Sequence, residues 1–281
     1  MRRAITVGDM TVRQLGFGAM RLTGHGDTSW GEPADRHASI AVLRKAVELG
    51  VDFIDTADAY GPEVSESLIR EALHPYDGIV IATKGGLIRD AHRRAIPDGS
   101  PKHLTMANEA SRRRLGVDRI DLYQLHVVDP KVPFEVSFNA LLELKAEGKI
   151  RHIGLSNVSA EQFHQALRMG TFVSVQNNYS VLRRGNEEVL DLCREHGIAF
   201  IPYFPMGGNK GSLSERTIDA IATKHRVSSR QIRLAWLLQH YQNMLPIPGT
   251  GSIDHLEENL KAADVVLDSD DTASLNSLTS D

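Results

Sequence analysis

The stretch Phe53–Gly61, FIDTADAYG, ends a short apolar run in a carboxylate, Asp55, and sets a phenol, Tyr60, five positions further on. Two later apolar runs finish in the same manner: IVIAT stops at Lys84 and LYQL stops at His126. Acid, phenol, amine and imidazole at the C-terminal ends of three strand-like segments meet on one face if those segments lie parallel in a barrel. A tyrosine alone releases its proton only near pH 10. An ammonium beside it favours the phenolate and lowers that value. A carboxylate paired with the amine keeps the ammonium in place and charged, and a neutral imidazole orients a carbonyl oxygen near the phenol. Together such groups make a proton donor for a C=O that receives a hydride. Each also has a plainer reading. Asp55 could cap a turn, Tyr60 could pack at a barrel mouth, and His126 could be a core histidine bonded to backbone. Lys84 resists this treatment, because a lysine that ends an apolar strand is rarely buried without a partner.

The segments that must position these groups alternate between short apolar runs and amphipathic stretches, with no polar linker anywhere. The pattern predicts strands at Leu15–Gly18, Val51–Asp55, Ile79–Thr83, Ile120–Leu125, Ile150–Leu155, Val173–Gln176, Ile198–Tyr203 and Met244–Ile247. Helices fall between them, the first capped by Asp35 and stopped by Gly50, another starting at Pro101, where the missing N–H costs nothing. Ile5–Val7 and Met10–Val12 flank Gly8-Asp9 as a β-hairpin. TGHGDTSWGEPAD and IRDAHRRAIPDGS read as loops, and the tail as one short helix capped by Ser269 or Asp268. The expected fold is a (β/α)8 TIM barrel in a single domain, residues 1–281, with an N-terminal β-hairpin.

Composition narrows the function classes. At 281 residues the chain can enclose one sizeable core, and 41% hydrophobic with 24% charged residues is ordinary for a water-soluble domain. A net charge of −4 implies no pull toward nucleic acid or an anionic membrane. No apolar run approaches the roughly 20 residues of a bilayer span. MRRAITVGDMTV lacks the apolar segment of a secretory signal, so the expected compartment is the cytoplasm. The lone cysteine, Cys193, cannot form an internal disulfide and is expected to be buried on a helix face. The 12 histidines include no HxH or HxxxH pair, so no metal is expected. Arg112–Arg114 read as surface charge at a helix C-terminus.

Taken in order, DTAxxYG, Lys84 after IVIAT, Leu125-His126, GLSN at 154–157, a strand ending in Gln176 and PIPGTGSIDHLEEN resemble the aldo-keto reductase family along nearly the whole chain. Within it, HPY at 74–76, QNNY at 176–179 and the IPGTGSIDHLEEN run are most similar to the bacterial pyridoxal reductases. The resemblance implies a barrel whose hairpin closes the bottom, with Tyr60 as proton donor, Lys84 lowering its pKa, Asp55 paired with Lys84 and His126 orienting the substrate oxygen. It also implies a nicotinamide cofactor lying extended across the upper face. That accords with the lack of a Rossmann fingerprint, since GFGAMR at 16–21 has no third glycine.

On the same resemblance, Ser156, Asn157 and Gln176 would meet the nicotinamide amide, which wants donors and acceptors, and Tyr203 would stack on its ring. The plainer readings are loop capping and a core tyrosine. PGTGS before the helix at Ile253 is the candidate phosphate site, since helix starts attract anions. Thr250, Gly251 and Ser252 lie there, with Glu258 and Asn259 reaching the adenosine. Two positions where relatives carry Lys and Arg are Gly249 and His255, so Lys210 could contact a phosphate instead. NADPH is expected, with NADH as the alternative. Trp30 and Phe204 offer aromatic walls for a small-molecule carbonyl substrate, pyridoxal first among them, while Arg93 and Arg94 suit either an anionic group or solvent. Two rival functions stay open: a cofactor-sensing binding subunit with slow turnover, and an aldolase in which Lys84 forms a Schiff base.

Overall fold

The computed structural model describes residues 3–24, 30–90, 92–207 and 213–278. β1 (Ala4–Val7) and β2 (Met10–Arg13) pair antiparallel about Gly8-Asp9, as the turn residues predict. Their alternation puts Ile5, Val7, Met10 and Val12 on one buried face. That face packs against Phe53, Ala82, Leu122, Ala199, Ile201 and Leu245, so the hairpin plugs one end of the main sheet with an apolar core of its own.

Among the described residues seven strands form one parallel sheet: β3 (Phe17–Gly18), β4 (Phe53–Asp55), β5 (Val80–Gly85), β8 (Ile120–Leu125), β9 (Ile150–Ser156), β10 (Ser174–Gln176) and β11 (Ala199–Phe200), hydrogen-bonded in that order. Parallel strands covered on both faces are apolar throughout, and β4 and β10 are buried at every residue. The curl of the sheet brings its two edges to a common segment. Phe200 N–H donates to Asn243 O (3.1 Å), Leu245 N–H to Phe200 O (2.8 Å) and Gly16 N–H to Pro246 O (3.0 Å). The strands expected at Ile198–Tyr203 and Met244–Ile247 are therefore shorter than the apolar pattern suggests. The first contracts to two residues and the second to a single bridge, Phe200 to Met244. Pro202, Pro246 and Pro248 have no N–H to give a ladder, which is the physical reason.

Helices α1 (Arg36–Glu48), α2 (Val64–Leu73), α3 (Pro101–Leu115), α4 (Phe134–Ala146), α5 (Ala160–Met169), α6 (Glu187–His196), α7 (Leu213–His225), α8 (Ser229–His240) and α9 (Ile253–Lys261) contribute the second, larger core against the outer face of the sheet. Their starts follow cap chemistry: Asp35 accepts from Ala38 N–H at α1, and Ser159 and Ser228 form capping boxes at α5 and α8. Asp268 caps α10 (Ser269–Asn276) through Asp270 and Asp271 N–H. Cys193 is fully buried on α6. No helix among the described residues is long and apolar enough to cross a membrane.

One predicted loop is structured. Within IRDAHRRAIPDGS, β6 (Leu87–Arg89) and β7 (Ala95–Pro97) pair antiparallel. Asp90 Oδ1 accepts from His92 and Arg94 N–H, both at 2.9 Å, and closes the turn. The run of turn-forming and charged residues hid this hairpin, because three-residue strands carry almost no periodicity.

Candidate active site

Strand register does the first part of the positioning. Asp55 lies beside Ala82 in the β4–β5 pair, Lys84 beside Gln124 in β5–β8, and Gln176 beside Ser156 in β10–β9. Asp55, Lys84, Gln124, Ser156 and Gln176 therefore sit at or next to C-terminal strand ends, at the end of the sheet away from the hairpin plug. Just beyond them, His126 N–H donates to Gly85 O and Asn157 N–H to Gln176 O, which fixes the first loop residues to the neighbouring strands.

Lys84 and Asp55 are 1% and 2% exposed, with Nζ 2.5 Å from Asp55 Oδ1. The ammonium also donates to Thr56 O (2.9 Å) and to Tyr60 Oη (3.4 Å). Asp55 Oδ2 accepts from Gln124 Nε2 and Gln176 Nε2, each at 2.9 Å. A buried ion pair survives only when its remaining lone pairs and protons are satisfied; here two amides and a backbone carbonyl do that. Gln124 is the member that sequence reading missed. The available signal was a polar residue in an apolar strand, two positions before His126 and so on the same strand face.

Electrostatics corrects one expectation. Burial pushes the Tyr60 hydroxyl above its ordinary value; Lys84 pulls it down, but Asp55 pushes it up again, and the net direction is upward. The phenol thus keeps its proton across the neutral range, and the lowering by Lys84 is present but smaller than the effect of burial. Burial lowers the Lys84 pKa, yet Asp55 and Tyr60 outweigh it and hold the ammonium above the usual range. An amine kept charged this firmly is a poor Schiff-base nucleophile, which weighs against the aldolase reading. Burial, then Lys84 and Arg89, hold His126 well below the ordinary imidazole value, so the ring is neutral. It meets the Tyr60 ring edge-on at 5.9 Å. Its Nδ1 is buried without a hydrogen-bond partner among the described residues, which leaves Nε2 to meet a ligand.

These groups open into a cleft of about 710 Å³ lined by Asp55, Tyr60, His126, Ser156, Asn157, Gln176, Tyr203, Phe204 and Gly249, among others. That volume suits a small organic ligand. The profile of the Aldo/keto reductase family matches residues 14–280. The chain belongs to that family. An uncharacterized oxidoreductase of Schizosaccharomyces pombe is 49% identical, over 97% of this chain and 88% of its own. Pyridoxine 4-dehydrogenase of Escherichia coli is 42% identical over 92% of this chain and 91% of its own. An aldo/keto reductase from Klebsiella pneumoniae, crystallised with NADP and acetate, superposes with a TM-score of 0.81 at 28% identity, covering 98% of this chain and 95% of that one.

In this aldo/keto reductase the residues expected to serve a nicotinamide divide into two groups. Ser156, Asn157, Gln176, Tyr203 and Gly249 line the cleft. Asn157 is already engaged, its Nδ2 donating to His126 O (2.9 Å) and its Oδ1 accepting from Tyr203 Oη (2.7 Å). Gln176 gives its amino group to Asp55 and Ser156 Oγ accepts from Asn157 Nδ2 (3.0 Å), so the Gln176 Oε1 and the Ser156 O–H are the groups left to meet an amide. Thr250, Ser252, His255, Glu258 and Asn259 are not among the cleft-lining residues; they continue from Gly249 into α9. Thr250 Oγ1 accepts from Ser252 N–H, and Ser252 caps α9 by accepting from His255 N–H. Asn259 is buried, with an Oδ1 that lacks a partner among the described residues. A Cβ on Gly18 would lie 2.6 Å from Ile247 O and one on Gly249 would lie 2.5 Å from Gly18 O, so this rim is backbone packed on backbone. The residues present fit a nicotinamide dinucleotide, on the orphaned Asn259 amide, the Ser156 hydroxyl and the glycine rim. Lys210 lies outside the described residues.

Of the two expected aromatic walls, one lines the cleft. Phe204 lines the cleft and is 50% exposed. Trp30 is not among the lining residues; its ring lies under the exposed Arg93 guanidinium, 5.7 Å away. Arg94 pairs with Asp90 at 2.6 Å. Arg114, expected at the surface, is 14% exposed and pairs with the fully buried Glu66 at 2.6 Å.

Proposed function

We propose that this chain is an NADPH-dependent carbonyl reductase that converts an aldehyde or ketone to its alcohol. The observation that carries the reading is the Lys84 ammonium held between Asp55 and the Tyr60 hydroxyl, beside a neutral His126, at the floor of a cleft of about 710 Å³. NADPH, when bound, would supply the hydride. Tyr60 donates its proton to the carbonyl oxygen as that oxygen gains charge. Lys84 stabilises the phenolate left behind, and Asp55, fixed by Gln124 and Gln176, keeps Lys84 charged. His126 directs the carbonyl oxygen toward Tyr60, with Asn157 bracing the loop through the His126 carbonyl. Ser156 and Gln176 would hold the nicotinamide amide, Tyr203 would lie against its ring, and the 249–259 segment would receive the adenosine phosphates.

NADPH is favoured over NADH because the Klebsiella relative was crystallised with NADP and because Arg21 and Arg183 line the cleft. Gly249 and His255 argue the other way, so catalytic efficiency measured with each dinucleotide decides it. Pyridoxal is the first substrate to try, given the 42% identity to pyridoxine 4-dehydrogenase. We read the 244–247 segment as the eighth stave of a closed (β/α)8 barrel, and the chain as one domain. The test is turnover of an aromatic aldehyde, followed by loss of NADPH absorbance, in Tyr60→Phe against the unaltered protein. The variant is expected to lose about 10²–10⁴-fold in kcat while NADPH still quenches protein fluorescence. Full turnover in the variant would remove Tyr60 from the mechanism.

A further inference from the structure

Among the described residues the cleft wall carries three guanidinium groups, from Arg21, Arg89 and Arg183, and a single carboxylate, Asp55, which Lys84 already neutralises. Arg21 and Arg183 are exposed, whereas Arg89 is half-buried. Its Nε is sealed from solvent and has no hydrogen-bond partner among the described residues. Nη1 donates to Arg93 O at 3.3 Å, and among the described residues no carboxylate pairs with the group. The charge of Arg89 acts on both Tyr60 and His126, lowering the pKa of each.

The β6–β7 hairpin holds this side chain in place. Alternate residues of a strand face opposite sides: Leu87 and Arg89 line the cleft, while Ile88 between them is 37% exposed. The register Leu87–Pro97, Ile88–Ile96, Arg89–Ala95 and the Asp90-closed turn make the support a structured element rather than a free loop. The hairpin follows β5, the strand that carries Lys84. With its charge acting on Tyr60 and His126, a group held there lies beside the carbonyl site of the reductase reading. A buried donor left without a partner is costly, as the Arg89 Nε is, and a guanidinium is shaped to take a carboxylate or phosphate in a two-point grip.

We propose that Arg89 selects carbonyl substrates carrying an acidic oxygen, whether carboxylate, phenolate or phosphate, within a few bonds of the reacting C=O. The inference rests on the carbonyl-reductase reading above. Its test compares matched pairs at saturating NADPH: 3-carboxybenzaldehyde with its methyl ester, pyridoxal with its 3-O-methyl ether, and pyridoxal 5′-phosphate with pyridoxal. The unaltered enzyme is expected to favour the acidic member of at least one pair by about 10–100-fold in kcat/KM, the worth of a hydrogen bond to a charged group, and the responding pair names the source of the charge. In Arg89→Met that ratio falls toward one through KM, and Arg89→Lys recovers part of it. No preference in any pair, or a preference that survives in Arg89→Met, overturns the proposal while the reductase reading stands. If the unaltered protein reduces no aldehyde, charged or neutral, with either dinucleotide, the reductase reading fails and this inference fails with it.

Discussion

Thr83 and Lys84 are neighbours on β5, yet they serve two different buried charge clusters on opposite faces of the strand. Lys84 turns inward to Asp55 and Tyr60. Thr83 turns outward, donating to Glu66 Oε1 at 2.6 Å, and Arg114 Nε donates to Glu66 Oε2 at 2.6 Å. The carboxylates are equally buried, Asp55 at 2% and Glu66 at 0% exposure. What separates them is access. Glu66 has both oxygens engaged between α2, α3 and the outer face of the sheet, whereas the inner cluster ends in a phenol and an imidazole that line a cleft. Buried charge alone marks either a structural pair or a reactive one; an opening beside the perturbed groups is what tips the reading toward chemistry.

The two clusters should fail in different ways. Lys84→Met is expected to have the largest effect, removing about 10²–10⁴-fold of kcat and destabilising by about 3–5 kcal/mol, because Asp55 is left buried and unpaired. Steady-state rates and denaturant unfolding read the two losses separately, and a stable, fully active variant would contradict the assignment. Glu66→Gln should cost about 3 kcal/mol in unfolding free energy, softened by the second Arg114 contact to Glu63 at 3.2 Å. Its kcat, measured well below the unfolding temperature, should stay within about threefold; a Tyr60→Phe-sized loss would merge the two clusters into one.

Asp58 lies beside the outer cluster and gives a pH test. Burial, then repulsion from Glu66, raises its carboxyl to about 8, and Oδ1 is buried without a partner among the described residues. A carboxyl raised in the folded state binds its proton more tightly there than in the unfolded chain. Its stabilisation is complete below about pH 4 and drains away as pH rises toward 8. Asp58→Asn should therefore flatten the decline in stability over that window by a few kcal/mol at most; an unchanged pH–stability curve would show that Asp58 titrates normally. The smallest effect belongs to Cys193, which is fully buried and whose thiol burial pushes far above the ordinary range. A thiol reagent at neutral pH should leave the native protein unlabelled and its rate unchanged.

Much of the inner cluster was legible because several of its members end an apolar run, and apolar runs are easy to see. Asp55, Lys84 and His126 stand out as polar residues where a buried strand stops. Gln124 was overlooked because it sits one residue inside its run. The β6–β7 hairpin, and with it Arg89, was hidden among turn-forming and charged residues. Arg114 was misjudged for a related reason: a run of three arginines at a helix end looks like solvated charge, and only the packing of α3 on α2 turns one of them toward Glu66.

Local chemistry was enough to set the alternation of strands and helices, the capped helix start at Asp35, the hairpin at Gly8-Asp9 and the family, because periodicity, caps and motifs are carried by near neighbours in the chain. Distances between residues far apart in sequence were settled by register and packing. Those place Gln176 on Asp55 across 121 positions, let burial outweigh Lys84 in setting the acidity of Tyr60, and bring Arg89 to the cleft wall. Desolvation and long-range pairing depend on what surrounds a group in space, and that surrounding exists only once the sheet has curled.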